Sequence, residues 1–189
     1  IGIMGDFEVH NIIEPGDKVI INGSIGDHGM AIMKIREQIA SHSNIISDCA
    51  HLNHLINSLL SKFPNAISFM RDATRGGVAS VLHEIVSEKS FGIKLIEQNL
   101  PIKDEVQGIA DLLGIDPLYI ANEGKVVMII KNDFAESLIT HLKDHPLGGD
   151  SAIIGEVIDD FAGMVYVETE IGGRRMVPLL IDEQLPRIC

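Results

Sequence analysis

Two cysteines, Cys49 and Cys189, occur in 189 residues. That is too few for a disulfide framework, and it leads us to expect a reducing, cytoplasmic setting. No apolar run approaches the roughly 20 residues that a membrane-spanning helix needs. No basic segment followed by an apolar core marks a secretory signal at the start. Cationic side chains are scarce, with 15 Lys and Arg against 27 Asp and Glu and a formal net charge of -12. Such a surface repels phosphate backbones and anionic bilayers, which argues against nucleic acid or membrane as a general partner. Internal repeats, low-complexity tracts and Pro/Gly/Ser linkers are missing as well. What is there, 46% hydrophobic and 22% charged residues, suits one globular domain with a sizeable core.

Along the chain the periodicity switches between strand-like and helix-like. Glu14-Pro15-Gly16-Asp17 predicts a turn and Val19–Ile21 a strand. The glycine-bearing stretch Gly23–Gly29 then leads into a helix from about Met30 to Ala40. Leu52, Leu55, Ile56, Leu59 and Leu60 mark an amphipathic helix, closed by Pro64 and Asn65. Ala66–Met70 predicts a short strand, and Val78, Val81, Leu82, Ile85 and Val86 another helical stripe. Gly92–Glu97 and Val126–Ile130 read as strands, whereas Val106–Leu113 and Phe134–Leu142 read as helices. Strands at Ser151–Ile158 and Met164–Glu170 follow, with a hairpin turn at Gly172-Gly173 and a returning strand at Arg174–Val177. Helices interleave with strands early and strands run together late, so we expect an α+β fold, a mixed β-sheet covered by helices. The opening Ile1–Val9 reads as a strand entered midway, and the chain is expected to be a fragment or processed product. The expected division is a remnant of a preceding domain or linker at 1–10, one domain at 11–180 and a mobile tail at 181–189.

Four places concentrate chemistry. At Gly23–Gly29, backbone N–H groups at a helix start could hold an anion; equally, Ser24 or Asp27 could simply cap the helix. Arg71-Asp72-Ala73-Thr74-Arg75-Gly76-Gly77 packs two guanidinium groups, a carboxylate, a hydroxyl and two glycines into one turn. Arginine offers two-point contact to phosphate or carboxylate, and Asp72 could hold a magnesium ion or orient an arginine. Glu123, in Asn122-Glu123-Gly124, is either a solvated carboxylate or, if partly buried, a proton acceptor. Cys49, His51 and His54 have loosely metal-like spacing but lack a fourth ligand, so no zinc site is expected. The tail Gln184–Cys189 ends on a thiol behind the stiffening Pro186, and a terminal thiol can be carried from one site to another.

Taken together these segments resemble the HypE family of hydrogenase maturation proteins, the carbamoyl dehydratases of nickel–iron hydrogenase assembly. The resemblance rests on GSIGDHG at Gly23–Gly29, MRDATRGG at Met70–Gly77 and DPLYIANEGK at Asp116–Lys125. It extends through HPLGGDSAIIGEV at His145–Val157, IGGRR at Ile171–Arg175 and the terminal PRIC at Pro186–Cys189. The family belongs to the wider superfamily of aminoimidazole ribonucleotide synthetase and selenophosphate synthetase.

The resemblance implies that this chain is the carboxy-terminal domain. The amino-terminal one would supply most of the ATP and Mg2+ ligands and the homodimer interface. It implies that the carbamoyltransferase HypF loads a carbamoyl group on Cys189, that ATP-dependent dehydration converts it to a thiocyanate, and that the cyanide passes to iron on the HypC–HypD complex. By the same resemblance Glu123 would be the base. Arg71, Asp72, Thr74, Arg75, Gly76 and Gly77 would line the phosphate end of the cleft, with Gly26, Asp27 and His28 as further candidates. Two other readings are another phosphoryl-transfer enzyme of the superfamily, such as a selenophosphate synthetase, and an acceptor or docking module without catalysis of its own.

Overall fold

The computed structural model describes residues 12–39 and 45–179. The expected remnant at 1–10 and the tail with Cys189 lie outside the described residues. In chain order the elements are β1 (Lys18–Ile21), α1 (Asp27–Arg36), α2 (Asn53–Lys62), β2 (Ile67–Asp72), α3 (Gly77–Val86), β3 (Gly92–Ile96) and α4 (Asp104–Leu113). They continue with β4 (Val126–Ile130), α5 (Ala135–Lys143), β5 (Ala152–Ile158), β6 (Val165–Glu168) and β7 (Arg174–Met176). The strands form one seven-stranded sheet in the order β2-β4-β1-β5-β3-β6-β7. Every pairing is antiparallel except β3 with β6, so the sheet is mixed, as its late run of strands predicts.

Alternation along the central strands explains why both faces of this sheet are covered. Val19 and Ile21 of β1, with Val127 and Ile129 of β4, point into a core shared with Val78, Leu82 and Ile85 of α3. Ile20, Val126, Met128 and Ile130 point the other way, against Leu55 and Leu59 of α2 and Leu138 and Leu142 of α5. A strand buried on both faces reads as a continuous apolar run, and Val126–Ile130 is buried throughout. The third cluster joins α1 and α4 through Met30, Val106, Ile109 and Ala110, with Ile120 between them.

The limits of α1 and β2 differ from the sequence reading in ways that bear on the site. Helix α1 begins at Asp27, three residues before the expected start, because Gly26 takes a left-handed conformation (φ 87°) that turns the chain directly into the helix. It ends at Arg36, and Gln38 (φ 51°) turns the chain away well before Ala40. Strand β2 extends past Met70, since Arg71 and Asp72 pair with Val127 and Val126 of β4. The turn that precedes α3 therefore starts at Ala73. Among the described residues, no helix is long and apolar enough to cross a membrane.

Candidate functional site

Because β1 and β2 both run antiparallel to β4, their carboxy-terminal ends meet the start of β4 at one end of the sheet. Three of the chemistry-bearing segments are thereby brought together: the turn after β1, the turn after β2 and the loop before β4.

Asn122, fully buried, ties all three. Its Oδ1 accepts from Gly26 N–H at 2.7 Å, and its Nδ2 donates to Ile120 O at 2.8 Å and Ala73 O at 3.5 Å. Its own N–H also donates to Ala73 O at 3.1 Å. A second buried amide, Asn22, accepts from Val126 N–H at 2.7 Å and donates to Gly124 O and Leu147 O. Each bond satisfies a backbone group that irregular loops would otherwise bury unpaired. The approach is close enough to demand glycine. At Gly77 (φ 63°) a Cβ would lie 2.5 Å from Leu118 O, and at Gly124 it would overlap Asp48 O at 1.9 Å.

The Arg71–Gly77 segment borders a polar depression of about 280 Å³, lined by Arg71, Asp72, Thr74, Arg75, Val81 and Glu84. Arg71 and Glu84 form an ion pair, both half in solvent. Gly76 (φ 65°) turns the chain into α3, which starts without a side-chain cap. An uncapped helix start carries free N–H groups and a partial positive charge. With two guanidinium groups and the Thr74 hydroxyl beside it, this donor set fits a phosphate. It offers a metal little: among the described residues, no three His, Cys, Asp or Glu side chains converge to hold an ion.

Glu123 is half-buried, and its Oε1 is buried without a hydrogen-bond partner. Its N–H donates to Asp48 Oδ1 at 3.3 Å. Asp48 also holds Lys125 in a buried ion pair, Nζ to Oδ2 at 2.7 Å, with side-chain exposures of 9% and 4%. Lys125 runs across Gly23, where a Cβ would sit 3.0 Å from its Cε. On sequence alone Lys125 reads as the polar start of a strand and Asp48 as part of a polar loop. Only the fold brings them within reach, over a separation of 77 residues. Its one sequence signal is a lysine leading into a wholly apolar strand, since a buried lysine needs a partner.

In the turn after β1, neither Ser24 nor Asp27 caps α1. Instead the buried Asp27 carboxylate accepts from the Ser24 hydroxyl and from Lys103 Nζ, the latter at 2.8 Å. The hydrogen bond and charge of Asp27 hold the Lys103 pKa above its ordinary value. Three N–H groups of this turn have partners inside the chain: Ile25 on Pro101 O, Gly26 on Asn122 and Gly29 on Ala121 O. His28 faces Ser47, Nδ1 to Oγ at 2.8 Å, with its Nε2 buried and unpartnered. Cys49, His51 and His54 are exposed.

The chain spans about half the length of the curated relatives it matches. It is 44% identical over 174 residues to a carbamoyl dehydratase HypE of Bradyrhizobium diazoefficiens, covering 92% of this chain and 50% of that protein. Among solved structures it is similar to a HypE–HypF complex (46% identity, TM-score 0.82, 87% of this chain and 53% of that one). It is also similar to a HypE in complex with ATP (38% identity, TM-score 0.86, 94% of this chain and 54% of that one). The family model described as AIR synthase related protein, C-terminal domain, matches residues 14–168. A match that runs from β1 through β6 and takes in every helix leaves one assignment: the chain belongs to the family of AIR synthase related C-terminal domains.

Proposed function

We propose that this chain is the carboxy-terminal, tail-bearing half of an ATP-dependent carbamoyl dehydratase of hydrogenase maturation. The observation that carries the reading is the juxtaposition of the arginine turn with Glu123 through Asn122, within a chain 44% identical to a HypE. An anion-fitting depression and an unpartnered carboxylate then flank one end of the sheet.

A thiocarbamate does not lose water readily, because hydroxide is a poor leaving group. Phosphoryl transfer from ATP to the carbamoyl oxygen turns that oxygen into phosphate, which leaves with its electron pair. This chain contributes three things in the proposed reaction. Cys189 carries the carbamoyl group on its sulfur. Arg71, Thr74, Arg75 and the start of α3 at Gly76-Gly77 bind the phosphate oxygens and disperse their charge. Glu123 accepts a proton from the carbamoyl nitrogen. Gly26 and Asp27 brace the loops from behind, through Asn122 and Lys103. Asp72 supplies one carboxylate toward Mg2+, the remaining ligands coming from outside this chain.

Partners follow from the same reading: HypF loads Cys189, the HypC–HypD complex receives the cyanide, and the complete protein is a homodimer. The solved HypE–HypF complex supports the first of these. The test is intact-mass spectrometry of this chain after incubation with HypF, carbamoyl phosphate and ATP. We expect a carbamoyl adduct that is absent from Cys189→Ala. No adduct on this chain or on the full-length protein overturns the reading.

A further inference from the structure

We infer that His28 is the second proton acceptor of the dehydration, taking up at Nε2 the proton that Glu123 cannot hold. The inference rests on the reading just given and begins with its proton count. Converting S–C(=O)–NH2 to S–C≡N strips both protons from the nitrogen. The first leaves as the oxygen is phosphorylated, giving S–C(O-phosphate)=NH. The second leaves as the C–O bond breaks, phosphate departs with that electron pair, and the third C–N bond forms. One carboxylate accepts one proton. Glu123 must therefore pass its proton on before accepting another, or a second base must stand beside it.

The loops tether the segment that carries His28 to the segment that carries Glu123. Gly26 N–H on Asn122 Oδ1 and Gly29 N–H on Ala121 O, at 2.7 and 3.1 Å, fasten the first turn of α1 to the residues just before Glu123. From the other side a single short segment grips both groups. Ser47 Oγ lies 2.8 Å from His28 Nδ1, and Asp48 Oδ1 accepts from Glu123 N–H at 3.3 Å. Neighbouring Asn22, Asn122, Asp48 and Lys125 are all hydrogen-bonded. His28 Nε2 and Glu123 Oε1, by contrast, are buried and without partners. Asp27 Oδ1 is unpartnered as well, but its carboxylate is already held through Oδ2 by Ser24 and Lys103. That leaves His28 and Glu123 as side chains whose free atoms fit the pattern of groups kept for a substrate.

Ser47 also accommodates the tautomer the inference needs. Its Oγ already accepts from Cys49 N–H at 3.2 Å. Its second lone pair can accept from His28 Nδ1–H, which leaves the Nε2 lone pair open to a proton. Ser47 is then a positioning residue for His28, orienting the ring through its other nitrogen as a carboxylate orients an imidazole elsewhere.

The experiment uses full-length protein loaded by HypF, with the carbamoyl-to-cyano conversion on Cys189 followed by intact mass in a single turnover. His28→Ala is expected to load normally, to dehydrate on the order of 100-fold more slowly, and to recover part of that loss when imidazole is added. His28→Gln, which keeps a hydrogen-bonding side chain but cannot take a proton, should be equally slow. Ser47→Ala should slow the step by a smaller factor. Wild-type rates in His28→Ala and His28→Gln, or slow variants that ignore imidazole, overturn the inference. A wild-type protein that loads no carbamoyl group would instead overturn the reading of the function.

Discussion

The Arg71–Gly77 turn and the Asn122–Lys125 loop lie at the same end of the sheet and are equally dense in polar groups. They use them in opposite ways. In the first, Arg71, Asp72 and Arg75 stand in water around a depression, with the Arg71–Glu84 ion pair spanning its wall. In the second, Asn122 is fully buried, Lys125 is paired with Asp48, and each satisfies a group that the loop would otherwise leave bare. Polar chemistry that faces solvent costs the fold little and remains available to a ligand. Polar chemistry that is buried and bonded holds the ligand-facing turn in place. Glu123 and His28 belong to the second region by position but retain unpartnered atoms like the first. Asp27 also has a free oxygen but is held by Ser24 and Lys103 through the other, which leaves Glu123 and His28 as the candidates for proton transfer.

Substitutions should separate the two regions sharply. Lys125→Met leaves the Asp48 carboxylate buried without its cation and should cost roughly 3–5 kcal/mol of stability, read by urea unfolding. If the loss were under ~1 kcal/mol, the pair would not be the bracing that we describe. Asn122→Leu strands Gly26 N–H and Ile120 O and should cost about 2–3 kcal/mol in the same assay. Arg75→Ala should change stability by less than ~0.5 kcal/mol yet weaken binding of inorganic phosphate or pyrophosphate, measured by calorimetry. Equal phosphate affinity in Arg75→Ala and wild type would remove the arginine turn from the proposed site.

A smaller effect sharpens the comparison from the middle of the sheet, where polar groups are neither free nor deeply buried. Glu156 accepts from Lys18 at 2.7 Å and pairs with Lys94 at 2.8 Å. The Lys18 hydrogen bond, then that of Lys94, holds its carboxyl below the ordinary value of 4.5. A depressed folded pKa contributes stability above the unfolded value and loses it as pH falls. Wild type should therefore exceed Glu156→Gln by a constant margin at neutral pH, and the gap should shrink once pH drops below about 4.5. A gap that stays level into acid would show that the bridge contributes nothing through ionisation.

Much of this was legible in the residues. Apolar spacing located the helices and strands, because a sheet covered on both faces and helices with one buried stripe each leave their period in the sequence. The strand at Val126–Ile130 matches its expected limits, since five consecutive apolar residues have nowhere to go but the interior. The two glycines at the start of α3 and the arginines before them were also conspicuous, because exposed turns seldom concentrate such groups without use. Boundaries were less legible where hydrogen bonding decides them. Arg71 and Asp72 look like turn residues but pair with β4, whose edge needs partners. Asp27 looks like a cap, but its buried carboxylate instead pairs with the half-exposed Lys103, a lysine 76 residues away.

By itself, then, the sequence determined what depends on local pattern: which segments bury one face, which turns require glycine, and which side chains bring charge or a proton-accepting atom. The tertiary structure decided what depends on long-range proximity. It set Asp48 against Lys125, Asn122 between the turns after β1 and β2, and Ser47 beside His28. The physical reason is that a buried polar group must find a partner wherever the fold provides one, and no spacing along the chain records which distant residue that will be.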